Sequence, residues 1–257
     1  MRKIAFALVA LGFAFTATPS MAASLVYDTF TYSNGNLVPN GGWANYSGAL
    51  TDIQVAAGRA TGTGPNVNDD HILFAPQATT AKTYACFDVI IPAVAAAPKP
   101  IYFAELKDGA AANLVSRVYV LPLAGGGWTF GISHSSTSAT AGVTPWTAAL
   151  SYGVEYHLVI NYDPVNKTST LWVNPATELS PSVSNTNAAI AALAVSGFGL
   201  RQSTSASTLP ASPAYTGTAD WGFSVDNLGV GSSFADACEI PTPASRATWG
   251  GVKASYR

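Results

Sequence analysis

An all-β fold, two antiparallel sheets packed as a jelly-roll sandwich, is predicted by three features of the sequence. Short segments rich in β-branched and aromatic residues recur between clusters of Gly, Pro, Asn and Asp, and sustained helical periodicity is missing. The composition agrees, with 23 Gly, 16 Pro, 11% aromatic residues and only 10% charged ones, against a typical charged share of about 25%. Surface polarity must then come from Ser, Thr and Asn, which suits an extracellular β protein.

Strands are expected over 25–30, 53–55, 59–63, 72–74, 84–91, 101–107, 115–121, 128–133, 156–162, 169–174, 197–202 and 222–230. The Ala-rich piece 188–194 is the one place where the pattern permits a short helix. From Tyr156 to Tyr162 the alternation sets Tyr156, Leu158, Ile160 and Tyr162 on one face and His157, Val159 and Asn161 on the other. Asp163-Pro164-Val165-Asn166-Lys167 supplies a turn, Pro fixing φ and Asn tolerating a left-handed conformation. On the return strand Leu171 and Val173 point to the core, leaving Trp172 on the outer or concave surface.

The chain opens MRKIAFALVALGFAFTATPSMAA, basic residues followed by an apolar run and a small-x-small site, which is the pattern of an export signal over 1–22. Its apolar run is about a dozen residues, too short for a bilayer core that needs roughly twenty. No transmembrane segment is expected elsewhere, and the mature protein is expected to be secreted, extracellular or at the cell surface, or periplasmic. One sandwich domain is expected over 23–238. A Pro-containing spacer and a tail ending Ala247-Thr-Trp-Gly-Gly-Val-Lys-Ala-Ser-Tyr-Arg257 fill 239–257. Trp249, Val252 and Tyr256 share one helical face there. Such an ending resembles Trp-Gly…Lys…Tyr-Arg endings of other exported bacterial proteins, and is either a frayed terminus or a peptide recognised by export or sorting machinery.

Charge narrows the partners. Between positions 23 and 240 there are seven basic residues against fourteen acidic ones. A mildly acidic domain without clustered Lys or Arg lacks the electrostatic footprint of a nucleic-acid binder, and the same balance opposes adsorption to anionic lipid. The two cysteines, Cys86 and Cys238, are free to pair in an exported chain. That bridge would contribute about 4 kcal/mol on loop-closure grounds; alternatively Cys86 is a small buried hydrophobe.

Two stretches carry a family resemblance. Gly153 to Asp163, followed by Leu171-Trp172-Val173-Asn174, resembles the laminin-G-like, concanavalin A-like signature, with Tyr156-His157-Leu158 where that motif starts and Trp172 where its tyrosine stands. Val225-Asp226-Asn227-Leu228-Gly229-Val230 resembles the closing strand of that fold, and Tyr27-Asp28-Thr29-Phe30 is its natural partner. Asn174-Pro175 departs from the Asp-Gly of the signature. The resemblance implies a concanavalin A-like jelly roll over 25–235, similar to secreted bacterial proteins of unassigned activity; it speaks to construction rather than to chemistry.

Catalytic patterns are sparse. No acid lies two positions after Glu105, Glu155, Glu178 or Glu239, so the Glu-x-Asp-x-x-Glu of laminarinase-type glycosidases is missing, and Glu105 is expected to neutralise Arg117 or Lys107. A polysaccharide lyase of jelly-roll fold would draw on His157, Tyr119, Arg117, Arg201 and Gln202, provided they share one groove. Gly-x-Ser-x-Gly and His-Glu-x-x-His are absent, and the three histidines are scattered at His71, His134 and His157. Calcium is the metal such loops suit, with Asp28 and Asp226 on neighbouring strands as ligands and Asn68-Asp69-Asp70 as a second acidic stretch. A sugar-binding face would use Trp172, Trp146 and Trp43 as stacking rings. The expected function is therefore non-catalytic binding of a polysaccharide or another cell-surface component. A lyase or glycoside hydrolase is the enzyme alternative, and a purely structural surface protein is the other.

Overall fold

A computed structural model of the chain describes residues 24–48, 52–64, 68–109, 113–135, 142–202 and 215–239. Residues 1–22, where an export signal is expected, and residues 240–257 of the expected tail lie outside these residues. Two antiparallel sheets make the sandwich. The nine-stranded sheet runs β14 (Val183–Thr186), β13 (Thr168–Val173), β12 (Glu155–Asp163), β7 (Thr83–Ile90), β16 (Gly222–Gly231), β5 (Arg59–Thr63), β4 (Gln54–Ala56) and β2 (Gly35–Asn36), with β1 (Val26–Asp28) also paired to β16. The seven-stranded sheet runs β11 (Thr144–Pro145), β10 (Trp128–Ser133), β9 (Leu114–Pro122), β8 (Ile101–Lys107), β15 (Gly197–Arg201), β6 (Asp69–Leu73) and β3 (Trp43–Ser47).

The inner faces meet in one apolar core. Phe87, Phe103, Phe130, Phe198 and Phe223 interdigitate there with Tyr156, Leu158, Ile160 and Leu171, and Phe103 touches Phe87, Phe130 and Phe223 at ring separations of 5.5–6.3 Å. Period-two alternation explains the division: in β12 the residues on the core face are the four that the pattern assigns to it. The β12–β13 turn is held by Asp163, whose carboxylate accepts from the backbone N–H of Val165 and Asn166 and from the Asn166 side chain. The positive φ falls on Lys167 (52°) and not on Asn166, because Asn166 is already bonded back to Asp163.

The segment 188–194 is not helical. It is tied down in irregular form, the Leu193 N–H donating to the Tyr162 hydroxyl (2.7 Å). The helix lies instead at α1 (Phe234–Cys238), capped by Ser233, whose side chain accepts from the Asp236 N–H. It rides on the outer face of the nine-stranded sheet over Gly229 and Gly231, where a Cβ on Gly229 would fall 2.0 Å from the Ala237 carbonyl oxygen. Cys238 at its end is disulfide-bonded to Cys86 of β7, with Cα atoms 5.3 Å apart.

Buried His134 stacks on Tyr162 with ring centroids 5.5 Å apart, and its Nδ1 lies 2.9 Å from Ser169 Oγ. Burial pushes its pKa down from 6.5 to about 4. The unfolded chain therefore takes up a proton at this site near pH 6.5 while the folded chain stays neutral until about pH 4. Stability from this site is complete above pH 6.5 and is lost as the pH falls through that window. Asp70, raised by burial to about 6, acts in the opposite sense. The expected result is a shallower decline of melting temperature between pH 6.5 and 4 in His134→Gln than in the wild type, read by thermal scans across that range.

Candidate functional site

The outer face of the seven-stranded sheet carries an unusual concentration of buried polar groups. A sheet face that does not contribute to the core needs no charges, and desolvated charges are unfavourable unless paired. Yet Asp69, His71, Tyr102, Glu105, Lys107, Arg117, Tyr119 and Arg201 are all buried there. Registration explains how they meet. His71 of β6 and Glu105 of β8 both stand opposite Gly199 of β15, Asp69 stands opposite Arg201, and Tyr102 stands opposite Tyr119. Gly199 is required at the centre of this row, since a Cβ there would lie 2.3 Å from Glu105 Oε1.

Both guanidiniums pack on the ring of Tyr102, the Arg117 and Arg201 carbons lying 4.9 and 4.6 Å from its centroid. Arg117 also donates to Ser135 Oγ at 2.8 Å, and Arg201 Nε is 3.6 Å from Asp69 Oδ2. Lys107 Nζ donates to His71 Nδ1 at 3.0 Å and sits 4.5 Å from the centroid of Tyr46, whose ring stacks on His71. Tyr46, half-buried on the edge strand β3, hydrogen-bonds Glu105 Oε1. Glu105 Oε2 has no hydrogen-bond partner among the described residues.

The electrostatics follow from burial. Desolvation pushes the Glu105 carboxyl up, against the opposing pull of Tyr46 and of the three cations Arg201, Arg117 and Lys107. Burial likewise lowers Lys107 and, with the neighbouring Lys107 charge, brings His71 down to about 4. Near neutral pH the row thus presents two guanidiniums beside a neutral imidazole. Two guanidiniums are suited to pairing with a carboxylate, while the His71 Nδ1 lone pair is taken up by Lys107. Glu105 accepts a hydrogen bond from Tyr46 rather than from Arg117 or Lys107, and the three cations act on it through space. Asp108 belongs to the β8–β9 turn, accepting from Asn113 Nδ2.

The lyase set named from sequence divides between the sheets. Tyr119, Arg117 and Arg201 converge on this face, whereas His157 lies on the outer face of the nine-stranded sheet, opposite Asp88; the histidine that joins the arginines is His71. Sequence offers one signal for it, the alternation of Asp69 and His71 on one face of β6.

The aromatic and calcium residues are placed differently from expectation. Trp43 is 2% exposed in the main core, its Nε1 donating to Asp28 Oδ2 at 2.7 Å. Trp172 does lie on an outer face, but it is 5% exposed because Phe234 of α1 and Tyr84 cover it. Neither ring therefore has a face open to a sugar. Trp146 is half-buried beyond β11, where its backbone N–H donates to the Phe130 carbonyl. Asp28 stands opposite the core residue Leu228 and faces inward, accepting from the Phe30 N–H, the Tyr32 hydroxyl and Trp43. Asp226 stands opposite Asp88 and faces outward, so the two carboxylates cannot share one cation. Asp69 and Asp70 point to opposite faces of β6, the first toward Arg201 and the second accepting from the Ile53 N–H.

No protein-family model matches the chain, and no curated protein matches it. Solved structures do. The CBM2 module of the evolved Dit protein of Lactobacillus casei BL23 phage J-1 superposes with a TM-score of 0.53 at 12% identity, over 81% of this chain and 95% of that one. A sialidase gives 0.53 at 13% identity over 84% of this chain, which spans 19% of the sialidase's length. The alginate lyase Aly36B gives 0.49 at 12% identity, over 81% of this chain and 96% of that one. At these identities the likeness is one of fold: the chain is an all-β, two-sheet antiparallel jelly-roll sandwich.

Proposed function

We propose that this is an exported, non-catalytic protein of the cell surface or extracellular space that binds an acidic polysaccharide through the outer face of the seven-stranded sheet. The observation that supports it is the pair of guanidiniums, Arg117 and Arg201, packed on the Tyr102 ring with Lys107 in the same row. Planar guanidiniums match a sugar carboxylate in two-point geometry, and the buried Tyr102 ring beneath them holds both in place. The laminin-G-like relationship, export through the N-terminal segment and a docking role for the tail belong to the same proposal. No described helix is long and apolar enough to cross a membrane.

Affinity electrophoresis in gels containing a polyuronate or a neutral glucan tests the proposal. Retardation is expected in the polyuronate alone, weakening with salt, and Arg117→Met should weaken it roughly 10–100-fold, the contribution of a charged hydrogen bond. Equal mobility in both gels would favour the purely structural surface protein. A lyase is the second reading, supported by the gathering of Arg117, Arg201, Tyr119 and His71 on one face. It predicts accumulation of unsaturated uronate on incubation with the same polymer, and loss of that product in His71→Gln.

A further inference from the structure

A second constellation lies on the other face of the sandwich, its members drawn from three distant parts of the sequence. Cys86 and Asp88 are two positions apart on the outer face of β7, His157 of β12 stands directly opposite Asp88, and α1 brings Cys238 over them. His157 Nδ1 donates to Asp88 Oδ1 at 2.6 Å, while its Nε2 lies 3.1 Å from Cys86 Sγ. The Asp88 bond keeps the imidazole proton on Nδ1, so the Nε2 lone pair is aimed at the sulfurs. Asn227, at positive φ in the bulge of β16, donates to the other oxygen of Asp88 at 2.8 Å and fixes that carboxylate in turn.

The three donor atoms, Cys86 Sγ, Cys238 Sγ and His157 Nε2, lie within 4.8 Å of one another. A tetrahedral zinc-class ion with bonds of about 2.3 Å to sulfur and about 2.0 Å to nitrogen needs ligand separations of about 3.5–3.8 Å. Opening the disulfide moves the sulfurs apart toward that separation, while His157 already stands close to it. The surrounding charge also favours a cation: Asp88, Asp226 and Glu155 are gathered around one base, Arg59, which pairs with Glu155 at 2.7 Å and Asp226 at 3.5 Å. His157 is partly exposed, which leaves room for water at a fourth position.

We infer that the thiol form of this chain holds one zinc-class divalent ion through Cys86, Cys238 and His157, with Asp88 orienting the histidine from behind. The disulfide and the metal are then mutually exclusive states of one site. The thiol form exists before the bridge closes, or is regenerated by an external dithiol, which gives two electrons and two protons to the disulfide and is itself oxidised to a disulfide. Binding of the ion displaces two thiol protons and changes no oxidation state. Asp88 on the distal nitrogen is the carboxylate–histidine–metal relay that strengthens an imidazole ligand.

The test is a Co(II) titration of the full chain reduced with a phosphine, followed by visible absorption. The expected result is saturation at one equivalent with a thiolate charge-transfer band and tetrahedral d–d bands, displacement by Zn(II), and no such spectrum from the unreduced protein. His157→Gln should weaken binding at least tenfold, and Asp88→Asn roughly 10–100-fold. A reduced protein that keeps its circular dichroism but gives no saturable spectrum overturns the inference. So does a His157→Gln variant of unchanged affinity, because two thiols alone would then account for the binding. Should reduction loosen the fold, Zn(II) must raise the melting temperature of the reduced chain in proportion to the logarithm of its concentration, and a flat response is equally fatal.

Discussion

Trp172→Ala lowers the melting temperature by roughly 10 °C while leaving polyuronate affinity unchanged. The indole is buried between Tyr84 and Phe234 (centroids at 6.5 and 5.8 Å), and its Nε1 donates to the Glu178 carbonyl at 3.1 Å. Removing it opens a cavity under α1 that Val159 and Ala237 of the same cluster cannot fill. Truncations of this kind cost about 3–5 kcal/mol, and each kcal/mol corresponds to about 2–4 °C in a domain of this size. Trp172→Phe keeps the ring contacts and loses the hydrogen bond, so about 1 kcal/mol is expected. Thermal scans of the three proteins separate these values. A ring serving as a sugar platform would behave in the opposite way, losing affinity at constant melting temperature.

Asp28→Ala has a comparable effect for a different reason. Its buried carboxylate is the acceptor for the Phe30 N–H (2.7 Å), the Tyr32 hydroxyl (3.0 Å) and Trp43 Nε1 (2.7 Å). Alanine strands three donors at once, two of them in buried contacts, at about 1–3 kcal/mol each before relaxation, so about 3–5 kcal/mol is expected. Burial and the Asp28 charge raise the Tyr32 hydroxyl to about 12, so Tyr32 is a donor throughout the accessible pH range. Asp28→Asn retains one acceptor oxygen and should fall between wild type and alanine. Chelator should shift none of these melting temperatures, since the carboxylate is occupied by N–H and O–H donors; a chelator-dependent drop confined to the wild type would restore the calcium assignment.

The sandwich was legible because its longest strands repeat with period two and are punctuated by turns. Strands β5, β8 and β10 fall on the residues expected. The strands missed are β2, β3, β11 and β14, short and mostly polar edge segments, each supported by pairing with a single neighbour. The Ala-rich segment misled because helix propensity is a weak prior that tertiary contacts override, here the Leu193 N–H to Tyr162, Lys167 Nζ to the Ala188 carbonyl and the packing of Leu193 on the core. Individual residue types of the polar row were visible, Arg117, Arg201, Tyr119 and Glu105 among them, but not their partners. Whether His71 or His157 joins the arginines depends on which strand enters which sheet, and alternation within a strand says nothing about that. The same limit hid the Cys86–His157–Cys238 cluster, whose members are 71 and 152 residues apart. Trp43 and Trp172 were assigned to the surface because a large ring reads alike whether it stacks on a ligand or is covered by a distant element.

The most direct measurement is hydrogen–deuterium exchange of the protein with and without a saturating oligouronate. Slower exchange confined to 101–107, 114–122 and 197–201, with β7, β12 and β16 unchanged, is the predicted result. Protection on the nine-stranded sheet, or none anywhere at a concentration that saturates binding, would contradict the assignment of the ligand to the Arg117–Tyr102–Arg201 face.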